Sequence, residues 1–311
     1  MDTRTENLQK IQLLNQRILS EIRKVVIGQD HVAQLCLVAL FSKGHVLLEG
    51  VPGTAKTLLM RTLAHALGLE FKRIQFTPDL MPSDILGTNI FNFQKNEFIL
   101  TKGPIFTQFL LADEINRTPP KTQSALLQAM QEFQVTIDGT NHPLSGVFIV
   151  SATQNPIEQE GTYPLPEAQL DRFLFKLIVG FPSEDSEQEM VKRHQKGSVA
   201  IRPEDLGVQK VTNAKDLEAI QNYIQLITVS DSLISYIVTL IRKTRQNPLI
   251  LCGASPRSTL MLTNSARTLA VLEGRDYIIP DDVKFLFKPA VGHRIVLTPS
   301  EIGRASCRER V

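Results

Sequence analysis

The loop at residues 50–57, with the sequence GVPGTAKT, constrains the fold of this chain more than any other stretch. The apolar segment before it, residues 45–49, has the length of a buried parallel strand. After it, residues 58–67 carry apolar side chains at helical spacing up to a stop at Gly68. A strand, a glycine-containing loop and a helix in this order predict a parallel α/β sheet with the loop at a helix N-terminus.

The chemistry of this loop indicates a site for a polyphosphate. Backbone N–H groups of such a loop, together with the helix dipole, present partial positive charge to an anion. We expect Lys56 to reach the β- and γ-phosphates and the Thr57 hydroxyl to hold Mg²⁺. Ala55 departs from the general pattern, which has glycine at that position. The candidate nucleotide-binding residues are Gly50, Val51, Pro52, Gly53, Thr54, Ala55, Lys56 and Thr57.

Composition disfavours several classes of protein. With 311 residues, of which 42% are hydrophobic, the chain is long enough for two domains and a sizeable core. No apolar run approaches the length of a membrane span, about 18 residues, and the N-terminus lacks the features of a signal peptide. The widely spaced and odd-numbered cysteines argue against a disulfide framework or a zinc site. A net charge of +2 does not favour nucleic-acid binding. From the missing apolar span, the N-terminus and the cysteines, we expect a cytoplasmic protein without membrane insertion.

A second motif, at residues 109–114, is an apolar strand that ends in two carboxylates. The carboxyl ends of parallel strands face the crevice in which α/β proteins bind ligands. There Asp113 is a candidate Mg²⁺ ligand, and Glu114 is a candidate general base for the attacking water. An apolar run ending in Asp-Glu is a weak signal alone, but its pairing with the loop at residues 50–57 makes it a strong one.

Three other places each keep two interpretations. Asn155, which follows another predicted buried strand, either orients water beside the γ-phosphate or starts an Asn-Pro turn. Val26 and Ile27 either belong to the end of the first helix or form an apolar shelf for an adenine ring. Arg172 either pairs with Asp171 at the surface or acts on a second subunit.

Two predicted hairpins interrupt the α/β pattern. The first joins residues 88–93 to residues 97–100 through a polar turn, and the second has Asp138-Gly139 as its turn. The first hairpin is either a pore or substrate loop or a surface decoration, and we favour the functional interpretation.

From about residue 183 onward the pattern is helical. The predicted helices are residues 184–194, 214–228, 231–246, 256–273 and 281–290. We therefore expect an α/β domain at residues 1–182 and an α-helical domain at residues 183–301. Arg257 lies in the first turn of one helix, where a cation opposes the helix dipole, and a bound phosphate would remove that conflict.

The last residues, 302–311, differ from the rest of the chain. They show no apolar period and a sudden excess of arginine. A basic tail for an acidic partner is one interpretation, and a translated DNA-sequencing adapter is the other. We favour the foreign tail, in which case Cys307 has no functional meaning.

Taken in order, the motifs resemble the signature of the AAA+ ATPases. The resemblance implies a Walker A loop at residues 50–57, two Walker B carboxylates, a sensor 1 residue, an arginine finger and a sensor 2 residue. Beyond the loop these are, in that order, Asp113 and Glu114, Asn155, Arg172 and Arg257. An arginine finger acts in trans on the γ-phosphate of a neighbouring subunit and is worth about 10³–10⁵ in rate.

Within that class the chain is similar to the MoxR subfamily from about residue 20 to residue 299. The similarity is carried by the loop, in which this subfamily tolerates Ala55, and by the segments QFTPD, ADEINR and ATQNP. It implies an α/β P-loop NTPase domain with a smaller helical lid, and ATP hydrolysis with ATP and Mg²⁺ as cofactors. It also implies a homo-hexamer that remodels client proteins together with a von Willebrand factor A domain partner.

Other functions compete with this interpretation. Magnesium-chelatase subunits share the clade, so a metal-insertion motor is the nearest enzymatic alternative. A nucleotide-gated binding module with little turnover is disfavoured, because it needs neither Glu114 nor Arg172. A DNA translocase is weaker still, since no basic stripe with interleaved aromatic residues supports it.

Overall fold

The computed structural model describes residues 3–156, 161–195 and 202–299. The elements up to the end of the second hairpin are α1 (Thr3–Arg23), α2 (Asp30–Phe41), β1 (Val46–Glu49), α3 (Lys56–Ala66), β2 (Phe71–Gln75), α4 (Pro82–Leu86), β3 (Gly87–Asn92), β4 (Glu97–Lys102), β5 (Phe109–Asp113), α5 (Pro120–Glu132), β6 (Gln134–Ile137) and β7 (Thr140–Pro143). The remaining elements are β8 (Ile149–Gln154), α6 (Glu167–Leu170), β9 (Phe175–Ile178), α7 (Glu184–Gln195), α8 (Ala214–Gln225), α9 (Asp231–Gln246), β10 (Ile250–Cys252), α10 (Pro256–Leu272), α11 (Pro280–Val291) and β11 (Val296–Leu297). Within these ranges, no helix combines the length and the apolar character that crossing a membrane requires.

The centre of the fold is a 5-stranded parallel sheet with the order β2-β5-β8-β1-β9. Every residue of β5 is buried, as expected of a parallel sheet that is covered on both faces. Because all strands point the same way, their carboxyl ends meet at one edge of the sheet. The segments that follow β1, β5 and β8 leave from this edge, so it collects the loop, the two carboxylates and Asn155.

The sheet has an apolar core on each face. Val46 and Leu48 of β1 belong to one core and Leu47 to the other, because successive side chains of a strand point to opposite faces. The first core also contains side chains of α1, α2, α3, α10 and α11. The helices α8 to α11 therefore share a core with the N-terminal helices and pack on the same side of the sheet.

Both predicted hairpins are present, as the antiparallel pairs β3–β4 and β6–β7. In the second hairpin, Asp138 and Gly139 adopt positive φ angles of 48° and 81°, which is the geometry of a type I′ turn. The first hairpin exposes Phe93 and Phe98, with 88% and 71% of their surfaces accessible. Asn89 Nδ2 donates to Asp138 Oδ2 at 2.8 Å, so the two hairpins contact each other.

The region after residue 183 is not wholly helical, which corrects the sequence prediction. β10 and β11 form an antiparallel pair beside the helices. Strands of 3 and 2 residues leave no periodicity to detect, and α10 and α11 separate the two partners in sequence. The predicted helix at residues 214–228 ends earlier, at Gln225. The predicted foreign tail, residues 302–311, lies outside the described residues.

Candidate nucleotide site

The loop at residues 50–57 turns tightly from β1 into α3. Gly50 is required by close packing, because a Cβ there would lie 2.4 Å from the carbonyl oxygen of Val179. Gly53 and Ala55 adopt positive φ angles of 85° and 58°. Glycine is therefore the unstrained residue at position 55, and the left-handed conformation costs Ala55 about 1–2 kcal/mol.

Lys56 bridges the backbone of the loop. Its Nζ donates to the carbonyl oxygens of Gly50 at 2.6 Å and of Val51 at 2.8 Å. Burial lowers the pKa of Lys56, while the charges of Asp113 and Glu114 oppose that shift. The ammonium group is therefore held by the loop backbone, and it lines the same cavity as the two carboxylates.

Asp113 is a buried carboxylate with several partners. Its Oδ1 accepts from Thr153 Oγ1 at 2.5 Å, and its Oδ2 accepts from Thr57 Oγ1 at 3.3 Å. Arg73, on the neighbouring strand β2, donates to Oδ2 through Nε at 2.9 Å and through Nη2 at 2.7 Å. The two candidate Mg²⁺ ligands, Thr57 and Asp113, thus lie side by side. Hard oxygen ligands of this kind fit Mg²⁺, which prefers one or two carboxylates together with phosphate oxygens.

Glu114 is the residue after β5 and adopts a left-handed conformation with a φ of 58°. Gln75 Nε2 donates to Glu114 Oε2 at 2.7 Å, and Arg117 Nε lies 2.9 Å from the same oxygen. The backbone N–H of Glu114 donates to Thr153 Oγ1 at 2.9 Å. Side chains from β2 and from the turn after β5 therefore hold this carboxylate at the carboxyl edge of the sheet, while Thr153 of β8 holds the backbone of Glu114.

The loop and the two carboxylates line one cavity of about 360 Å³. Its walls are residues 52–58, the carboxylates Asp113 and Glu114, and residues 153–155. Asn155, which follows β8, is 7% exposed. The volume lies within the range of small-molecule sites, about 300–1,000 Å³. The cavity thus brings together the loop from Pro52 onward, both carboxylates and Asn155.

Arg257 lies on α10 towards the opposite edge of the sheet, because Met261, one turn later on α10, contacts Arg294, which also donates to the carbonyl oxygen of Leu174 just before β9. Burial and, to a smaller extent, the charge of Arg257 lower the pKa of His45 to about 4. His45 directly precedes β1, whereas the loop leaves from the other end of β1, about 10–15 Å away at the rise of a strand. Among the residues that the structure describes, those that line the cavity do not include Arg257.

Arg172 lies near the same edge as Arg257. It follows α6, and Leu174, two residues further on, donates its backbone N–H to the carbonyl oxygen of His45 at 2.8 Å. Burial lowers the pKa of the nearby Arg294, and the charge of Arg257 contributes to the same shift. The two predicted catalytic arginines therefore share one region of the chain, away from its own phosphate loop.

Val26 and Ile27 do not line the part of the cavity that the structure describes. Val26 is 5% exposed and packs into the core that contains α1, while Ile27 is half-buried. Gly28 turns with a φ of +78° beside Pro182 and Ser186. A turn explains the glycine, and the adenine shelf stays a prediction.

Sequence reasoning missed Arg73, Gln75 and Thr153 as members of the site. Arg73 and Gln75 alternate along β2, so both side chains leave the strand on one face, and the strand register places Gln75 beside Asp113. The polar residues of β2 were a visible signal. The partners of Arg73 and Gln75 could not be predicted, because the adjacency of β2 and β5 follows from the strand order and not from the local sequence pattern.

The parallel sheet, the glycine loop at the start of α3, the carboxylates at the end of β5 and the helices beside them define an α/β P-loop NTPase with a helical lid. Comparison with known proteins supports this class. Residues 45–175 match the family described as ATPase family associated with various cellular activities (AAA). Residues 242–309 match the AAA lid domain.

Relatives of known name identify the family. The chain is 48% identical to the uncharacterized protein YeaC of Bacillus subtilis, over 91% of this chain and 87% of that protein. It is 46% identical to Chaperone MoxR1 of Mycobacterium tuberculosis, over 91% of this chain and 76% of that protein. A solved structure of an ATPase candidate from Cytophaga hutchinsonii is 42% identical and has a TM-score of 0.87, covering 96% of this chain and 92% of that one. The chain belongs to the MoxR family of AAA+ ATPases.

Proposed function

We propose that this chain hydrolyses ATP to ADP and phosphate with Mg²⁺, within a homo-hexameric ring that remodels or assembles partner proteins. The observation that carries the proposal is the grouping of Lys56, Thr57, Asp113, Glu114 and Asn155 around one cavity. A phosphate-binding loop, candidate metal ligands and a candidate general base within one cavity are the parts that phosphoryl transfer to water needs.

The loop side of the cavity binds the nucleotide in the proposed reaction. Lys56 exchanges its bonds to the carbonyl oxygens of Gly50 and Val51 for bonds to phosphate oxygens. The backbone N–H groups of the loop bind the same phosphates at the N-terminus of α3. Thr57 and Asp113 hold Mg²⁺, which neutralises charge on the phosphate oxygens when bound.

The carboxylate side of the cavity activates water. Glu114 orients the attacking water and accepts its proton, since its carboxylate is already fixed by Gln75 and Arg117. Asn155 donates an amide N–H toward the same water from the end of β8. Both groups come from ends of sheet strands, so the rigid sheet sets the distance between them.

The arginine side of the site comes from a neighbouring subunit. Arg172 and Arg257 lie at the edge of the sheet opposite the chain's own loop, so each can serve a second copy of the chain. An interface between the loop of one copy and the arginines of the next is heterologous, and repetition of such an interface closes into a ring. This geometry supports the homo-hexamer that the resemblance implies.

The proposed work of the ring is on proteins. The relative named Chaperone MoxR1 supports a chaperone-like role. The β3–β4 hairpin, with the exposed Phe93 and Phe98, is the proposed contact for a client. We propose a von Willebrand factor A domain protein as the regulatory partner and the cytoplasm as the compartment. Addition of such a partner should change ATP turnover, and no change with any encoded candidate would remove it from the proposal.

The test of hydrolysis is the variant Glu114→Gln. Loss of a general base lowers the rate by about 10²–10⁴-fold, while binding of a fluorescent ATP analogue should persist. The matched control is Glu132→Gln, which makes the same change on an exposed residue of α5 and should leave phosphate release unchanged. Equal phosphate release by wild type and Glu114→Gln would refute the proposed mechanism.

A further inference from the structure

The side chain of Arg294 is a buried charge at the junction between the helical region and the sheet. Arg294 ends the short 3₁₀ turn Gly292–Arg294 after α11, and its side chain is 2% exposed. Burial of a guanidinium is costly unless its donors are paired. Burial lowers the pKa of Arg294, and the ion pair with Asp171 opposes that shift. The identity of its partners shows what this charge holds together.

On one side, the partners belong to the segment that carries Arg172. Nε donates to Asp171 Oδ1 at 2.7 Å, and Nη2 donates to the carbonyl oxygens of Asp171 at 3.0 Å and Phe173 at 2.6 Å. Nη1 donates to the carbonyl oxygen of Leu174 at 3.2 Å. One side chain thus fixes the backbone on both sides of Arg172.

On the other side, the partners belong to α10 and α11. Nη1 also donates to the carbonyl oxygen of Ala290, and Nη2 lies 2.9 Å from Met261 Sδ. Met261 lies four positions after Arg257 on α10, a spacing that puts both side chains on one face of the helix. Arg294 therefore contacts both segments that carry the arginines proposed to act on a neighbour.

We propose that Arg294 is a positioning residue that holds Arg172 and Arg257 as one rigid unit, presented to the nucleotide of the neighbouring subunit. This inference rests on the proposed function, in which those two arginines act in trans. Its consequence is that a movement of α10 and α11 in one subunit moves the arginine finger that serves the next subunit.

The contacts require arginine in particular. A guanidinium has five N–H donors in a planar fork, which matches a carboxylate and several carbonyl oxygens at once. A lysine ammonium at the same position keeps the charge but has three donors and no fork. A shift of about 1 Å in a catalytic group costs about 10²-fold in rate, so a loosened segment should lower turnover without unfolding the chain.

The first experiment measures the full-length variants Arg294→Met and Arg294→Lys. We expect the turnover number of Arg294→Met to fall by about 10–100-fold and that of Arg294→Lys by less. Affinity for a fluorescent ATP analogue should stay at the wild-type value, because the phosphate loop of the same chain is untouched. Equal losses of turnover and affinity would overturn the proposal.

The matched control is Arg275→Met. Arg275 also makes a bidentate ion pair, to both oxygens of Asp282 at 2.9 and 2.7 Å, but it lies wholly within the helical region. The variant Arg275→Met should lower the melting temperature without a loss of turnover per folded chain. If it lowers turnover as much as Arg294→Met does, general loosening of the helical region explains the effect and the proposal fails.

The second experiment mixes variant subunits, which separates a positioning role from a structural one. Lys56→Ala has a defective loop but intact arginines, whereas Arg294→Met has an intact loop and misplaced arginines. In an equal mixture, about a quarter of the interfaces combine both intact halves, so turnover should recover toward that fraction of wild type. A mixture of Arg294→Met with Arg172→Ala should not recover, because both variants are defective on the same side.

The outcomes distinguish this inference from the proposed function. Failure of Arg172→Ala to recover with Lys56→Ala would refute the trans arginine finger itself. Recovery of Arg172→Ala but not of Arg294→Met would overturn only the positioning role. If Arg294→Met does not fold, Asp171→Asn takes its place in the mixtures, because it removes the ionic partner while keeping the size of the side chain. If a mixture of Asp171→Asn with Lys56→Ala shows no more turnover than the two variants measured separately, the positioning role of Arg294 is equally overturned.

Discussion

His45 provides the sharpest quantitative test of the structure, through the pH dependence of stability. Its ring is buried before β1, with Nδ1 accepting the backbone N–H of Val150 at 3.1 Å. Nε2 lies 3.0 Å from the carbonyl oxygen of Met130 and therefore carries the proton of the neutral ring. Protonation of Nδ1 would break the bond to Val150 and place a charge in an apolar site.

The magnitude follows from the shift in pKa. Burial, with a smaller contribution from the charge of Arg257, lowers the pKa of His45 from 6.5 to about 4. Between these values the unfolded chain binds a proton that the folded chain does not, so stability is full above the unfolded pKa and falls as the pH falls. From about pH 7 to about pH 5, His45 alone should remove about 2 kcal/mol from the free energy of unfolding.

The measurement is urea unfolding at both pH values for wild type and for His45→Gln. The glutamine amide can accept from Val150 and donate to Met130 but does not titrate, so the variant should lose about 2 kcal/mol less than wild type over this interval. His31→Gln, at an exposed position, should keep the wild-type dependence. If the free energy of unfolding falls equally with pH in wild type and in His45→Gln, the prediction that the folded chain keeps His45 neutral is wrong.

Two further predictions concern the nucleotide site. Arg73→Gln should lower the Mg²⁺ concentration for half-maximal ATP turnover several-fold, because Arg73 occupies Asp113 Oδ2 with two hydrogen bonds. A Mg²⁺ titration of phosphate release checks this, and a higher Mg²⁺ requirement would contradict it. Ala55→Gly should raise the free energy of unfolding by up to about 1 kcal/mol, because relief of the Cβ strain at the φ of 58° exceeds the entropy cost of a glycine. Urea unfolding checks this, and any decrease in the free energy of unfolding would contradict it.

The phosphate side of the site was predictable because its signals are local. The strand, the glycine loop and α3 are continuous in sequence, and each carries its own pattern of apolar residues or turn residues. Asp113 and Glu114 end the strand β5, so their placement at the carboxyl edge follows from the parallel sheet alone. Even the departure at Ala55 marks the position where the backbone takes a left-handed conformation.

The contacts that tune the site were not predictable, because they join distant parts of the chain. Arg73 meets Asp113 across a separation of 40 residues, and Arg294 meets Asp171 across 123. Nothing in the local sequence of Arg294 distinguishes it from a surface arginine. Its role follows from burial, which depends on how α10 and α11 pack against the sheet.

The position of Arg257 decides how the helical region works in the proposed mechanism. A lid that closes over the nucleotide of its own chain would have to carry Arg257 around the sheet to the loop. That movement would pull α10 and α11 away from the core they share with α1–α3, exposing Leu262 and Leu286, which are both 0% exposed. Exposure of each such leucine costs about 1.5–3 kcal/mol, and the shared core holds many apolar side chains. Service to a neighbouring subunit needs no such separation, so the packing itself favours the action of Arg257 in trans.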